Sequence, residues 1–183
     1  YVLGGRMMEK MNSIEDVQNY IDQNYWALEN NVILIDEFLK DAKEVDIDIL
    51  RDADGNTMIA GIMEHIEEAG IHSGDSACSI PPFSLSKKTI SSIKNFSISL
   101  AKELKTVGLM NIQYAIKDEE IFILEANPRA SRTIPFLAKA IGIPFIKIAA
   151  ELIAGKKLPD ENIKFKPESL SYYAIKEAVF VFN

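Results

Sequence analysis

The sequence predicts an α+β fold, a mostly antiparallel sheet with helices packed on one face. Three observations predict it. Residues 44–50 alternate, with Val45, Ile47 and Ile49 on one side and Glu44, Asp46 and Asp48 on the other. Residues 110–117 and 121–127 are apolar-rich runs separated only by Asp118-Glu119-Glu120, a spacing that closes a hairpin. Residues 87–105 carry Ile90, Ile93, Phe96, Leu100, Ala101 and Leu104 at helical spacing. Hairpin-linked strands with helices held apart from them define the class.

The remaining elements follow in order. Residues 1–3 read as a short strand running into Gly4-Gly5-Arg6. Ser13-Ile14-Glu15-Asp16 is a capping-box variant, with Asp in place of Glu or Gln. It opens a helix whose apolar face is Ile14, Val17, Tyr20 and Ile21. Residues 32–35 form a continuous apolar run, expected as a strand. Asp52-Ala53-Asp54-Gly55-Asn56 is a turn cluster, and a long strand is expected over residues 57–66. Two short helices come late. One ends at Gly142, and the other runs from Pro144 to a stop at Gly155, with proline at the start and glycine at the end. Residues 159–167 read as an irregular connector.

Bulk properties narrow the function. At 183 residues the chain is long enough for one core and short for two. The net charge of −7 argues against a nucleic-acid or anionic-membrane partner, while leaving room for a local basic pocket. No apolar run approaches the ~20 residues that cross a bilayer. Cys78 is the single cysteine, so no intrachain disulfide is possible, which fits a reducing, cytoplasmic compartment. The chain opens at Tyr1 without an initiator methionine or a signal peptide, and is expected to be a piece of something longer.

The chemistry concentrates between Met110 and Arg132. Closing the hairpin over the three-residue loop sets Ala115 opposite Ile123 and Gln113 opposite Glu125. Side chains alternate along a strand, so Gln113, Glu125 and Asn127 emerge on one side, with opposed Cβ atoms ~5 Å apart. An all-oxygen set suits Mg²⁺, which keeps several waters and takes its other ligands from substrate phosphates. The same pattern also fits a solvated sheet face. Arg129 and Arg132 follow at once, placed to offset charge on a transferring phosphoryl group. Alternatively, they pair with Glu125 and nearby acids.

Two glycine-bearing segments are less specific. Gly4-Gly5-Arg6 fits either a backbone that approaches phosphates or a plain turn. It has neither the Lys-Ser/Thr of a P-loop nor the spacing of a dinucleotide fingerprint. Residues 64–75 hold both histidines and four acids, as a loop near a ligand or as a surface loop. The spacing of His65 and His72 fits no zinc signature.

The string GIMEHIEEAGIHSGDSACSIPP, followed by GLMNIQYAI and ILEANPRASRTIPFLAKAIGIP, resembles the carbamoyl-phosphate synthetase large chain. YVLGGR at the start and EFLKDAKEVDIDIL at residues 37–50 fit the same family in the same order, so the resemblance covers essentially the whole chain. The family implies an ATP-grasp fold, with part of a lid subdomain at residues 1–36 and the base subdomain at residues 37–183. Of the family's two fused halves, HIEEAGIHSGDSA and ASRTIPF resemble the second, which phosphorylates carbamate.

Carried over residue by residue, the resemblance implies roles. Gly4 and Gly5 belong to the lid loop over the phosphates. The Glu37-Phe38-Leu39 hinge backbone meets adenine, and Glu44 takes the ribose hydroxyls. Gly70, Ile71, His72 and Ser73 line the nucleotide pocket, with Gln113 and Glu125. Gln113, Glu125 and Asn127 hold Mg²⁺ or Mn²⁺, and Arg129 and Arg132 are the catalytic cations. The family's arginine, which precedes a string like YVLGG and reaches ATP phosphates, is not in this sequence. The implied partners are ATP, carbamate, the rest of the large chain and a glutaminase small subunit, serving arginine and pyrimidine biosynthesis. Another ATP-grasp carboxylase or ligase would share the metal pair but not HSGDSAC. A non-catalytic piece, inactive alone, is the reading from a different class.

Overall fold

The computed structural model describes residues 9–28, 32–71, 75–159 and 166–177. The chain divides into two compact units, residues 1–40 and 41–183.

In the first unit, α1 (Ile14–Gln23) begins where expected. Ser13 has extended backbone, and its side chain accepts from Asp16 N at 3.1 Å. The Asp16 carboxylate takes Asn12 N at 3.0 Å, so the reciprocal bond of the box lands one residue early. A short α2 (Tyr25–Leu28) follows, with Tyr25 and Trp26 edge to face. Residues 32–35 do not form the expected strand. Val32 is 96% and Leu34 81% exposed, and among the described residues no strand pairs with them. An apolar run becomes a strand only where a neighbour takes its N–H and C=O groups. The expected strand at residues 1–3 lies outside the described residues.

The second unit is a six-stranded antiparallel sheet of order β5-β4-β1-β2-β3-β6. The strands are β1 (Lys43–Arg51), β2 (Thr57–Glu68), β3 (Cys78–Ile80), β4 (Gly108–Lys117), β5 (Glu120–Asn127) and β6 (Ala174–Lys176). The helices are α3 (Lys87–Glu103), α4 (Ile134–Ile141) and α5 (Phe145–Ile153). Gly142 caps α4 in the left-handed conformation, and Gly155 has a positive φ just beyond α5, matching both expected stops. The three-residue strands β3 and β6 are too short to leave a period in the sequence.

Helices cover both sheet faces rather than one, because β2 is apolar on both and Leu50 of β1 and Leu109 of β4 extend the apolar area of the second face. Val45, Ile47, Ile49, Met110, Ile112 and Tyr114 pack with Ile93 and Ala101 of α3. On the other face Leu50, Met58, Met63 and Leu109 pack with Ile134 and Leu137 of α4 and Phe145 and Leu152 of α5. Each such fully buried aliphatic side chain contributes ~1.5–3 kcal/mol. Gly61 on β2 permits the second layer: a Cβ there would stand 2.5 Å from Leu137 Cδ2. The buried stripe of α3 is Thr89, Ile93, Ser97 and Ala101, while Phe96 and Leu104, expected on it, stay about half exposed. Ser97 Oγ meets Tyr114 OH at 2.8 Å, so this helix faces the sheet through a hydroxyl pair.

The β4–β5 hairpin differs from expectation in a way that matters. Its loop is two residues, Asp118 and Glu119, both at positive φ, and Lys117 pairs with Glu120. Ala115 therefore faces Phe122, not Ile123. A bulge between Gln113 and Tyr114 then absorbs one residue of β5 and restores Gln113 opposite Glu125. Glu119 also accepts from Ser86 Oγ (2.9 Å) and Thr89 Oγ1 (2.7 Å), fastening the turn to the start of α3.

Candidate functional site: a polar patch on the sheet

Glu44, Asp46 and Asp48 alternate with the apolar residues of β1, on the face that carries α4 and α5. Across β4, Asp46 pairs with Gln113 and Asp48 with Asn111. Across β5, Gln113 pairs with Glu125 and Asn111 with Asn127. Opposed residues share a face, so one polar patch crosses three strands. It grades from buried to open. Asp46, Asp48 and Asn111 are buried, Gln113 and Asn127 are half-buried, and Glu125 is exposed.

The buried end is a hydrogen-bonded network. Asp48 accepts from Asn111 Nδ2 (3.2 Å), Ser131 Oγ (3.0 Å) and Thr133 Oγ1 (3.0 Å). Burial pushes its carboxyl up to about 7, and the Asp46 charge adds to the rise; the three donors pull the other way. Asp46 Oδ2 lies 3.0 Å from His65 Nε2. His65 Nδ1 is 3.9 Å from Glu44 Oε1, beyond hydrogen-bond reach. Glu44 Oε2 accepts the Gly70 amide at 3.1 Å. Gly70 has φ +107, a conformation that favours glycine, so the chain turns back onto Glu44 here.

At the open end, Asn127 Nδ2 donates to Glu125 Oε1 at 2.8 Å, so the two side chains sit together on the Gln113 face. Arg129 and Arg132 are exposed in the segment between β5 and α4. Arg129 Nη1 donates to Ala130 O at 3.2 Å. Among the described residues neither guanidinium pairs with a carboxylate, so the reading in which Glu125 neutralises them does not hold. Nor do the described residues contain a group of three His, Cys, Asp or Glu side chains able to hold a metal ion. One carboxylate flanked by two side-chain amides instead fits a hard divalent ion that completes its shell with water and phosphate oxygens.

The structure brings together Glu44 with Gly70, and Gln113 with Glu125 and Asn127. Ile71 follows Gly70 and is exposed. Glu37 and Leu39 fall in irregular backbone of the first unit, Glu37 exposed and Leu39 half-buried. Gly4, Gly5, His72 and Ser73 lie outside the described residues. Of the buried partners, the sequence places Asp48 on the polar side of residues 44–50 and sets His65 aside as a zinc ligand, and it gives neither these nor Asn111 a site role. The signal for Asp48 was present: an acid on a strand with apolar neighbours, facing an asparagine on the next strand.

The sheet and its helices form an ATP-grasp fold. The same fold is found in biotin carboxylase from Campylobacter jejuni, solved as a β,γ-ATP complex (TM-score 0.75, 17% identity, 95% of this chain and 39% of that one). It also occurs in a Rhizobium etli pyruvate carboxylase solved with acetyl coenzyme A (TM-score 0.74, 18% identity, 96% of this chain and 16% of that one). Sequence narrows the class: the chain belongs to the family "Carbamoyl-phosphate synthase L chain, ATP binding domain", whose model matches residues 1–161. It is 54% identical over 182 residues to the carbamoyl phosphate synthase large chain of Archaeoglobus fulgidus. To that of Xanthomonas axonopodis pv. citri it is 48% identical over 187 residues. In both cases all of this chain is covered, and it spans 17% of the relative's length.

Proposed function

We propose that the chain supplies the ATP-binding and phosphoryl-transfer surface in the second half of a carbamoyl-phosphate synthetase large chain. There carbamate attacks the γ-phosphorus of ATP, giving carbamoyl phosphate and ADP. The observation that carries this reading is Gln113, Glu125 and Asn127 in one open patch, followed directly by two arginines with no carboxylate partner among the described residues. Gln113, Glu125 and Asn127 are the residues that would hold Mg²⁺ or Mn²⁺; the ion, when bound, draws phosphate oxygens together and offsets their charge. Arg129 and Arg132 meet the transferring phosphoryl group and the carbamate. Glu44 takes the ribose hydroxyls, Glu37, Leu39 and residues 70–73 line the base and sugar, and Gly4 and Gly5 lie over the phosphates. Residues 1–36 act as part of the lid and residues 37–183 as the base. The wording HIEEAGIHSGDSA and ASRTIPF supports the second half over the first. The rest of the large chain and a glutaminase subunit complete the enzyme, in the cytoplasm.

No residue in this scheme bonds covalently to substrate. The protein's contribution is position and charge. The test is Glu125→Gln in the full-length synthetase. It is expected to cut carbamate phosphorylation, and its reverse from carbamoyl phosphate and ADP, by several orders of magnitude. Bicarbonate-dependent ATP hydrolysis in the other half should persist. Near-normal turnover at saturating Mg²⁺ contradicts the metal assignment. Loss of the bicarbonate-dependent step alone contradicts the choice of half.

A further inference from the structure

Asp48 is an ionisable side chain with no exposed surface, on a strand surrounded by apolar packing. Burying a carboxyl there is costly for the fold, and an aliphatic residue would serve the core better. What the carboxyl gains is geometry. Ser131 Oγ and Thr133 Oγ1 each donate to Asp48 Oδ2 at 3.0 Å, and the two hydroxyls lie 2.7 Å from each other. These two residues flank Arg132. Among the described residues, they give the segment from Pro128 to Thr133 its side-chain bonds to the sheet, and both bonds end on Asp48. At the segment's start, Arg129 N donates to Asn127 O at 2.7 Å. The other oxygen of Asp48 takes Asn111 on β4, the direct partner of Asn127 on β5. One carboxyl thus ties the arginine-bearing segment to the strand pair that carries Gln113, Glu125 and Asn127.

We infer that Asp48 is a positioning residue for phosphoryl transfer: through Ser131 and Thr133 it fixes the backbone from which Arg129 and Arg132 project. The inference rests on the assignment of those arginines to the transferring phosphate. Asp48 itself touches no substrate. A satisfied buried network holds its members in one arrangement, and a displacement of ~1 Å in a charge-stabilising group costs on the order of 100-fold in rate.

The experiment is a cycle in the full-length enzyme: Ser131→Ala/Thr133→Val, Arg132→Ala, and the triple variant. The hydroxyl pair is removed with almost no change of volume, and the thermal midpoint is followed as a control. The expected result is a ~10- to 100-fold loss of kcat in the hydroxyl variant, with KM for ATP within about threefold of wild type. In the Arg132→Ala background the hydroxyl changes should cost less than they do in the wild type, the remaining loss acting through Arg129. Asp48→Asn, which keeps the shape and one acceptor oxygen for the two hydroxyls, should retain more activity than Asp48→Ala. An unchanged kcat in the hydroxyl variant overturns the positioning role. So does a loss that multiplies fully with that of Arg132→Ala. If Arg132→Ala itself leaves kcat intact, the arginine assignment fails instead.

Discussion

Glu44 sits almost buried, with one carboxylate oxygen on the Gly70 amide and the other turned toward His65. In the proposed function it meets the ribose, remote from the reacting phosphorus, and so binds ground state and transition state alike. Glu44→Ala is therefore expected to raise KM for ATP with kcat less affected. Steady-state kinetics of the full-length enzyme check this, and a collapsed kcat at unchanged KM contradicts it. Asp48 makes a pH prediction. Its carboxyl titrates near 7 in the folded chain against a reference of 3.8, so between those values the folded state holds the extra proton. That stabilising contribution is complete below the unfolded value and is lost as pH rises through about 7. Relative to Asp48→Asn, the wild type should lose on the order of 4 kcal/mol of stability from pH ~4 to pH ~8. Denaturant melts across that window measure it; parallel curves for the two proteins contradict it. Sequence alternation placed Asp46 and Asp48 on the right side of β1. It did not reveal that this side is roofed by α4 and α5, because that depends on helices some ninety residues away in sequence.

At the scale of elements, the hairpin is the instructive case. The pairing of Gln113 with Glu125 was legible, but through the wrong local geometry. A three-residue loop without a bulge and a two-residue turn with one give the same pairing beyond the bulge, and side-chain patterning cannot separate them. The positive φ of Asp118 and Glu119 selects the tight turn. Helix α3 carries the same lesson, since its buried stripe runs through Thr89 and Ser97, which a hydrophobicity pattern passes over. Gly61 sets the distance between β2 and α4, the helix that Thr133 opens. Gly61→Ala pushes a methyl into Leu137 and is expected to cost ~1–3 kcal/mol of stability, read as a lowered unfolding midpoint. An unchanged midpoint would mean that α4 does not pack this closely on the sheet.

For the whole molecule, two classes of residue were hard to read. The apolar run at residues 32–35 has a strand's composition, yet exposes Val32 and Leu34 without a pairing partner among the described residues. Strand formation is a property of pairs, so one segment cannot declare it. The shared face of Gln113, Glu125 and Asn127, by contrast, was legible, because polar residues interrupt apolar strands there. The site was opaque where the partners are buried, as at Asp48 and His65. In the proposed function, the open end of the patch is where nucleotide and metal meet the protein. The most direct measurement is a crystal structure of the full-length chain with Mn²⁺ and a non-hydrolysable ATP analogue, with the ion located by its anomalous signal. A manganese peak is expected within direct coordination distance of side-chain oxygens of Gln113, Glu125 and Asn127, with the γ-phosphate on the Arg129 and Arg132 side. A nucleotide bound with its metal away from Glu125 would contradict it.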